Sequence, residues 1–293
     1  MSGSIYFGRL KKEMREMDIP ELIRKEGLRR GLSHRTIRTY RYCVRKFFMH
    51  CRKDPKEIRK TDIKEYLDLL IEKGACGNTI NVNLNALRFL YCQILNKRLM
   101  INIRFSKTPK TLPIVLTKEE VIRLIKAINN PKHKLMTKLI YSAGLRVSEL
   151  VNLKAEHLDI ANSYGWVRRG KGNKDRMFVI ADTLKKELVE HIFRECPYSS
   201  SYLFKGFNGH ISTATIRAII SKAAKNAGIS KNIHPHTLRH SFSTHLIENG
   251  YGITQIQSLL GHNSMETTMV YVHLASPKMI DVKSPIDSLP IKL

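Results

Sequence analysis

Acidic residues are scarce in this 293-residue chain: 25 Asp and Glu stand against 51 Lys and Arg, a net charge of +26. Such an excess costs self-repulsion in the compact state and calls for a polyanionic partner. With a pI near 10.0, that partner is expected to be nucleic acid rather than a small acidic metabolite. Long apolar runs are missing too, since none approaches the roughly 18 residues that span a bilayer. The first twenty residues have no apolar core segment and carry Arg9, Lys11, Lys12, Glu13, Arg15, Glu16 and Asp18, which speaks against secretion. Cysteines are few, odd in number and far apart (Cys43, Cys51, Cys76, Cys92, Cys196), with no Cys-x-x-Cys pair. That supports neither a disulfide framework nor a zinc ribbon and reads as reduced thiols of a cytoplasmic protein.

Apolar residues make up 42 % of the chain, enough for packed cores. Two prolines in a short polar stretch, Ser106-Lys-Thr-Pro-Lys-Thr-Leu-Pro113, read as an extended linker. The expected organisation is an N-terminal tail (1–17), a helical domain (18–105), a linker (106–116), a second domain (117–275) and a C-terminal tail (276–293). Divided at residue 110, the halves carry +15 and +11, so both are expected to meet the polyanion.

The first half reads as helices alone, about four, forming a small bundle. Ile37, Tyr40, Val44, Phe47 and Cys51 recur at helical spacing, and Arg35, Arg38, Arg41, Arg45 and Arg52 follow the same helix off that face. Ile80, Leu84, Leu87, Tyr91 and Ile94 form a second stripe. Between them Thr61 reads as an N-cap, and Asp18-Ile-Pro20 opens a shorter helix. The second half is mixed, mainly helical with a small sheet. Thr117-Lys-Glu-Glu120 is a capping box. Trp166-Val-Arg-Arg and Arg176-Met-Phe-Val-Ile flank a basic, Gly-rich tip, Gly170-Lys-Gly-Asn-Lys174, and read as a β-hairpin. Helices are expected near 134–143, 182–195, 213–227, 236–249, 253–260 and 264–273, with Gly228, Gly250 and Gly261 as C-terminal caps.

Candidate phosphate-handling groups concentrate in the second half. His236 and Arg239 share one face in the first turn after Pro235, where a helix N-terminus already favours an anion. The alternative is a capping histidine beside a surface charge. Arg146 follows Gly144 at a helix corner, where a forked guanidinium can clamp phosphate oxygens, unless it only pairs with Glu149. Lys171 sits at the hairpin tip, as a mobile donor or a solvated turn charge. His262 follows a glycine cap, and Tyr271 lies on the last helix as a reactive hydroxyl or a packed ring. The histidines have neither His-Glu-x-x-His spacing nor cysteines nearby, so no metal site is expected.

The order Arg146, Lys171, His236-x-x-Arg239, His262, Tyr271 resembles that of the tyrosine recombinase, or lambda-integrase-like, family. Gly-Leu-Arg-Val-Ser-Glu-Leu, Gly-Lys-Gly-Asn-Lys-Asp-Arg, His-Thr-Leu-Arg-His-Ser-Phe and Leu-Gly-His followed by Tyr are similar to the Xer branch. The resemblance implies a helical core-binding domain ahead of an α+β catalytic domain, with no cofactor and no metal. It implies that Tyr271 attacks a DNA phosphodiester to give a 3′-phosphotyrosine, with Arg146, Arg239 and His262 on the non-bridging oxygens. Lys171 would protonate the leaving 5′-oxygen, and His236 would assist as acid or base. Arg35, Arg38, Arg41, Arg45, Arg52, Lys174 and Arg176 would contact DNA.

Two basic domains on an extended linker suggest a clamp on duplex DNA carrying a specific site. The resemblance adds a homo-tetramer on paired sites, exchange through a Holliday junction, and a role in chromosome-dimer resolution or element integration and excision. Two other readings stay open: a type IB topoisomerase-like nicking-closing enzyme, and a non-catalytic DNA-binding regulator.

Overall fold

A computed structural model describes residues 18–97, 103–104, 106, 112–168, 170, 175–207, 209–261 and 268–269. The chain divides into two compact units, Met1–Lys110 and Thr111–Leu293. It is mainly helical with small antiparallel sheets.

The first unit is built from helices α1 (Ile19–Arg29), α2 (His34–Cys51), α3 (Lys60–Glu72) and α4 (Gly77–Arg88). The Asp18 carboxylate accepts the Glu21 N–H at 3.1 Å, and the Ser33 hydroxyl accepts that of Thr36 at 3.1 Å. These caps satisfy donors that a helix cannot satisfy itself. The start of α3 departs from the expected Thr61 cap. Arg59 holds the cap position, and the buried Asp62 carboxylate accepts the Arg59 N–H at 2.8 Å and the Lys53 ammonium at 2.5 Å. A carboxylate is the stronger acceptor, and Lys53 supplies its counter-charge.

The core of this unit gathers Ile37, Val44, Phe47, Leu84, Leu87 and Leu90. Phe47 lies edge-on to Phe48 and Tyr66, each at 5.3 Å between ring centres. The second stripe does not finish as an α-helix. After Arg88 the chain widens into a π-helical turn, Phe89–Ile94, where the Leu95 N–H reaches back to the Leu90 carbonyl. In the wider turn three consecutive side chains, Phe89, Leu90 and Tyr91, lie in the core. Arg52 also departs from expectation. The chain turns left-handed there (φ 52°) and ends α2, so Arg52 does not continue the row of Arg35, Arg38, Arg41 and Arg45.

The second unit packs α5 (Lys118–Lys126), α6 (Pro131–Ala143), α7 (Val147–Val151), α8 (Asp182–Glu195), α9 (Thr213–Asn226), α10 (Pro235–Glu248) and α11 (Ile253–Leu260) around a sheet. That sheet is antiparallel, ordered β1 (Leu158–Asp159), β2 (Tyr164–Val167), β3 (Arg176–Val179). Trp166 pairs with Met177 and Val167 with Arg176. A separate ribbon joins β4 (Lys205–Gly206) to β5 (Gly209–His210). Thr117 and Glu120 form the expected reciprocal cap of α5. Strand β1, the β4–β5 ribbon and the five-residue α7 are additions, too short to leave a periodic signal. Leu139, Ile140, Leu150, Phe178, Phe204, Ile220 and Leu238 meet in the centre. No helix of the described residues is long and apolar enough to cross a membrane.

Gly144 closes α6 in the left-handed region (φ 57°), and a Cβ there would stand 2.4 Å from the Phe242 ring. Gly144→Ala must therefore strain the backbone and displace an aromatic ring. It is expected to cost about 2 kcal/mol or more, seen as a fall of about 4–8 °C in melting temperature. An unchanged melt would contradict this packing.

Candidate active site

The corner that Gly144 creates places Arg146 and Glu149. Arg146 caps α7, and Glu149, three residues on, turns back to accept the Arg146 N–H at 2.9 Å. The Arg146 guanidinium donates to the other oxygen of the same carboxylate at 2.6 Å. The Glu149 side chain is only 3 % exposed, whereas that of Arg146 keeps 18 %.

Arg239 reaches this carboxylate from α10. His234 caps that helix, and Pro235 occupies its first position, where a missing N–H does no harm. Arg239 is buried, and its Nη1 donates to the Gly144 carbonyl at 2.5 Å while Nη2 donates to that of Leu260 at 2.6 Å. One guanidinium thus serves the C-terminal ends of α6 and α11, whose last carbonyls lack partners within the helix. Nη1 also lies 3.8 Å from Glu149 Oε2.

Arg176 corrects an expectation. It is buried rather than presented to DNA: its Nη2 donates to Glu149 Oε2 at 2.6 Å, and its Nη1 donates to the Leu259 carbonyl. The reason is strand parity. Arg176 shares the inward face of β3 with Phe178, while Met177 and Val179 face out. The alternation was readable in Arg-Met-Phe-Val, but the basic loop beside it suggested a solvent-facing charge.

Glu149 is therefore a single carboxylate among three guanidiniums. Burial pushes its carboxyl up, but the Arg176 charge and hydrogen bond, the Arg146 N–H and the Arg239 charge together bring it below the ordinary range. His236 faces solvent beside the arginines. Partial enclosure of its ring, then the charges of His234, Arg239, Arg146 and Arg217, lower its pKa. At neutral pH it is an uncharged imidazole, able to take or give a proton. His240 behind it is lowered to about 4, chiefly by burial. The helix carrying these groups is itself anchored. Ser241 accepts the Leu116 N–H at 2.9 Å and donates to the Thr237 carbonyl at 2.8 Å, and Ser243 donates to the Arg239 carbonyl at 2.9 Å.

Of the expected site, the structure brings Arg146 and Arg239 together on Glu149, with His236 in their field. Lys171, Lys174, His262 and Tyr271 lie outside the described residues. Glu149 is the participant that the sequence offered only as a rival partner for Arg146. Arg35, Arg38, Arg41 and Arg45 stand exposed along α2, away from its buried stripe. Among the described residues, no group of three or more His, Cys, Asp or Glu could hold a metal ion.

Glu149→Gln keeps the shape and removes the charge, leaving buried guanidiniums facing one another. It is expected to lower stability by about 3 kcal/mol or more at pH 7. Because the folded carboxyl titrates below its unfolded value, this stabilisation is present above the unfolded pKa and fades as pH falls through the folded one. Urea titrations should show the two proteins converging on acidification. A constant difference between them across that range would contradict the ionised Glu149.

Residues 114–277 match the phage integrase family, and residues 21–101 match the N-terminal SAM-like domain of phage integrases. The chain is 33 % identical over 262 residues to a tyrosine recombinase of Thermosipho africanus, covering 85 % of this chain and 92 % of that one. It is 36 % identical over 251 residues to the tyrosine recombinase XerA of Pyrococcus horikoshii, covering 84 % and 85 %. A crystal structure of a XerA recombinase superposes with a TM-score of 0.52 at 31 % identity, over 89 % of this chain and 95 % of that one. The fold is shared more closely, at 24 % identity and a TM-score of 0.69, with a XerH site-specific recombinase bound to palindromic difH substrate, over 85 % and 79 %. With both units matched in order, the chain belongs to the phage integrase family and is a site-specific tyrosine recombinase that acts on DNA.

Proposed function

We propose that Arg146 and Arg239 hold the non-bridging oxygens of the scissile phosphate, and that Tyr271 attacks the phosphorus. The P–O5′ bond breaks as the tyrosyl–phosphorus bond forms, leaving a 3′-phosphotyrosine and a free 5′-hydroxyl. His236 accepts the tyrosine proton, Lys171 delivers one to the departing 5′-oxygen, and His262 donates a further hydrogen bond. The observation that carries this reading is the meeting of Arg146 and Arg239 on one buried carboxylate. Preorganised cations stabilise the charge that develops on phosphate oxygens in the transition state. The covalent ester conserves bond energy, so rejoining needs no nucleotide. A XerH recombinase has been solved with its difH substrate in a post-cleavage complex, which supports cleavage at a defined DNA site here too.

The partner in this reading is duplex DNA with a specific recombination site. A homo-tetramer on paired sites exchanges strands through a Holliday junction, for chromosome-dimer resolution or for integration and excision of an element. The helical unit and the catalytic unit each contact the duplex, in a cytoplasmic, nucleoid-associated protein. Arg35, Arg38, Arg41 and Arg45 contact phosphates, which give affinity and register.

Helix α4 has the opposite character and is the base reader of the proposal. In a chain of net charge +26, Gly77 to Leu87 holds no charged residue. Its exposed face carries Asn78, Val82 and Asn85. Asparagine is a poor helix former, so four in one helix need a use. Asn83 donates to the Thr79 carbonyl at 2.9 Å, and Asn81 exchanges two hydrogen bonds with the Ser106 backbone. The side chains of Asn78 and Asn85 have no such partner among the described residues. An amide pairs with the adenine edge in the major groove, and an aliphatic group meets the thymine methyl.

Replacing Asn78 and Asn85 by Ala should lower discrimination between target and mismatched sites by about 1–3 kcal/mol per lost base contact and leave the salt dependence unchanged. Competition binding against single-base variants checks this, and unchanged discrimination would remove α4 from the readout. The chemistry is tested on a nicked substrate that traps the adduct. Tyr271→Phe should bind DNA and form no adduct. Lys171→Ala should cleave ordinary DNA about 10²–10⁴-fold more slowly. It should cleave a substrate with sulfur at the 5′-bridging position almost normally, because a thiolate leaves without a proton. Failure of sulfur to rescue Lys171→Ala would place the proton donor elsewhere.

A further inference from the structure

Arg176 opens the strand that follows the loop containing Lys171, yet its side chain is 7 % exposed. It bonds three parts of the unit at once. Nη2 donates to Glu149 Oε2 at 2.6 Å. Nη1 donates to the Leu259 carbonyl in the last turn of α11, and to the Met177 carbonyl of its own strand at 3.4 Å. Its aliphatic stem lies against the turn after α11: Gly261 has φ +60°, and a Cβ there would stand 2.8 Å from Arg176 Cδ. The next residue along the chain is His262.

We propose that Arg176 is a positioning residue for DNA cleavage. Through Glu149 it sets the spacing and charge of the Arg146–Arg239 pair, and through Leu259 it fixes the end of α11 against β3. This rests on the phosphate-binding reading of Arg146 and Arg239. Glu149 is faced by Arg146 from its own corner, by Arg176 from β3 and by Arg239 from α10. Three positive charges and one negative leave the cluster with +2. Without Arg176 the carboxylate is shared by the two remaining guanidiniums, which it draws inward, and the charge left for a phosphate falls to +1. A planar fork spans a carboxylate and a carbonyl together, which a lysine with one nitrogen cannot.

The test measures covalent-adduct formation on the nicked substrate, with DNA binding and thermal melting as checks on folding. Arg176→Met should bind site DNA within about threefold of the unmutated chain, because contacts away from the scissile phosphate, the α2 arginines among them, are unchanged. It should cleave about 10²-fold more slowly, the cost of a small misplacement of the reacting groups. It should also gain an acid limb in its pH–rate profile. Glu149 loses the cation that lowers its carboxyl most, so it protonates at a higher pH than before. The double variant Arg176→Met/Glu149→Gln should lack that limb and be no slower than the slower single variant, since the two residues act as a unit.

If Arg176→Met does not fold, Arg176→Lys carries the test. It keeps the charge, so the pH profile should stay, while cleavage falls about tenfold because one nitrogen cannot serve both acceptors. Near-normal cleavage by either variant overturns the proposal. So does a loss that is independent of pH and adds fully to that of Glu149→Gln, the pattern of a merely structural arginine. Failure of the unmutated chain to form any adduct overturns the phosphate-binding reading, and this proposal with it.

Discussion

One carboxylate holds three of the catalytic unit's arginines in place. Glu149 lies three residues after Arg146 in the corner that Gly144 creates, and it turns back to accept the Arg146 N–H. Buried guanidiniums need a counter-charge, and Arg146, Arg176 and Arg239 reach the same two oxygens from three different elements. Arg239 and Arg176 then extend the arrangement to the carbonyls of Gly144, Leu260 and Leu259. The ends of α6 and α11 are thereby tied to α10 and β3. Hydrogen bonds that complete helix ends also fix the distance between the groups proposed to bind phosphate.

The arrangement suits the chemistry because it leaves a surplus. A one-to-one ion pair would cancel the charge that a phosphodiester must find on arrival, whereas three arginines on one carboxylate retain it. His236 stays uncharged in the same field, because partial enclosure of its ring and then its cationic neighbours lower its pKa. In the proposed reading a proton acceptor, His236, and a phosphate-binding cation, Arg239, therefore share one helix. The charge excess seen in composition has a second use in the other unit. There the arginines of α2 stand exposed, and the neighbouring α4 carries neutral amides instead. In the proposed reading affinity and base selection fall to different helices.

Much of this was legible in the sequence because it rests on local rules. The Asp18 and Thr117 caps, the α2 stripe and the left-handed glycines at 144 and 261 follow from residue type and spacing alone. The order of Arg146, His236-x-x-Arg239 and Tyr271 carried the family. What escaped depends on tertiary packing. Arg59 and Asp62 displaced Thr61 as the cap because Lys53, nine residues earlier in sequence, folds back onto that carboxylate. The π-turn at Phe89–Ile94 packs into the first unit's core and has no residue period of its own. Arg176 read as a surface charge although its strand parity matched Phe178, because parity counts only once the sheet's inner face is known. Glu149 read as a rival for Arg146, and its pairing with Arg176 and Arg239 joins residues 27 and 90 positions away.

The central claim is that this phosphate clamp serves a covalent tyrosine ester on Tyr271. Trapping the protein on a nicked recombination site, digesting it and sequencing the nucleotide-bearing peptide by mass spectrometry tests that claim most directly. The account predicts that the 3′-phosphate sits on Tyr271, one of eleven tyrosines in the chain. A 3′-phosphate on any other residue, or cleavage that leaves no protein on the DNA, would contradict it.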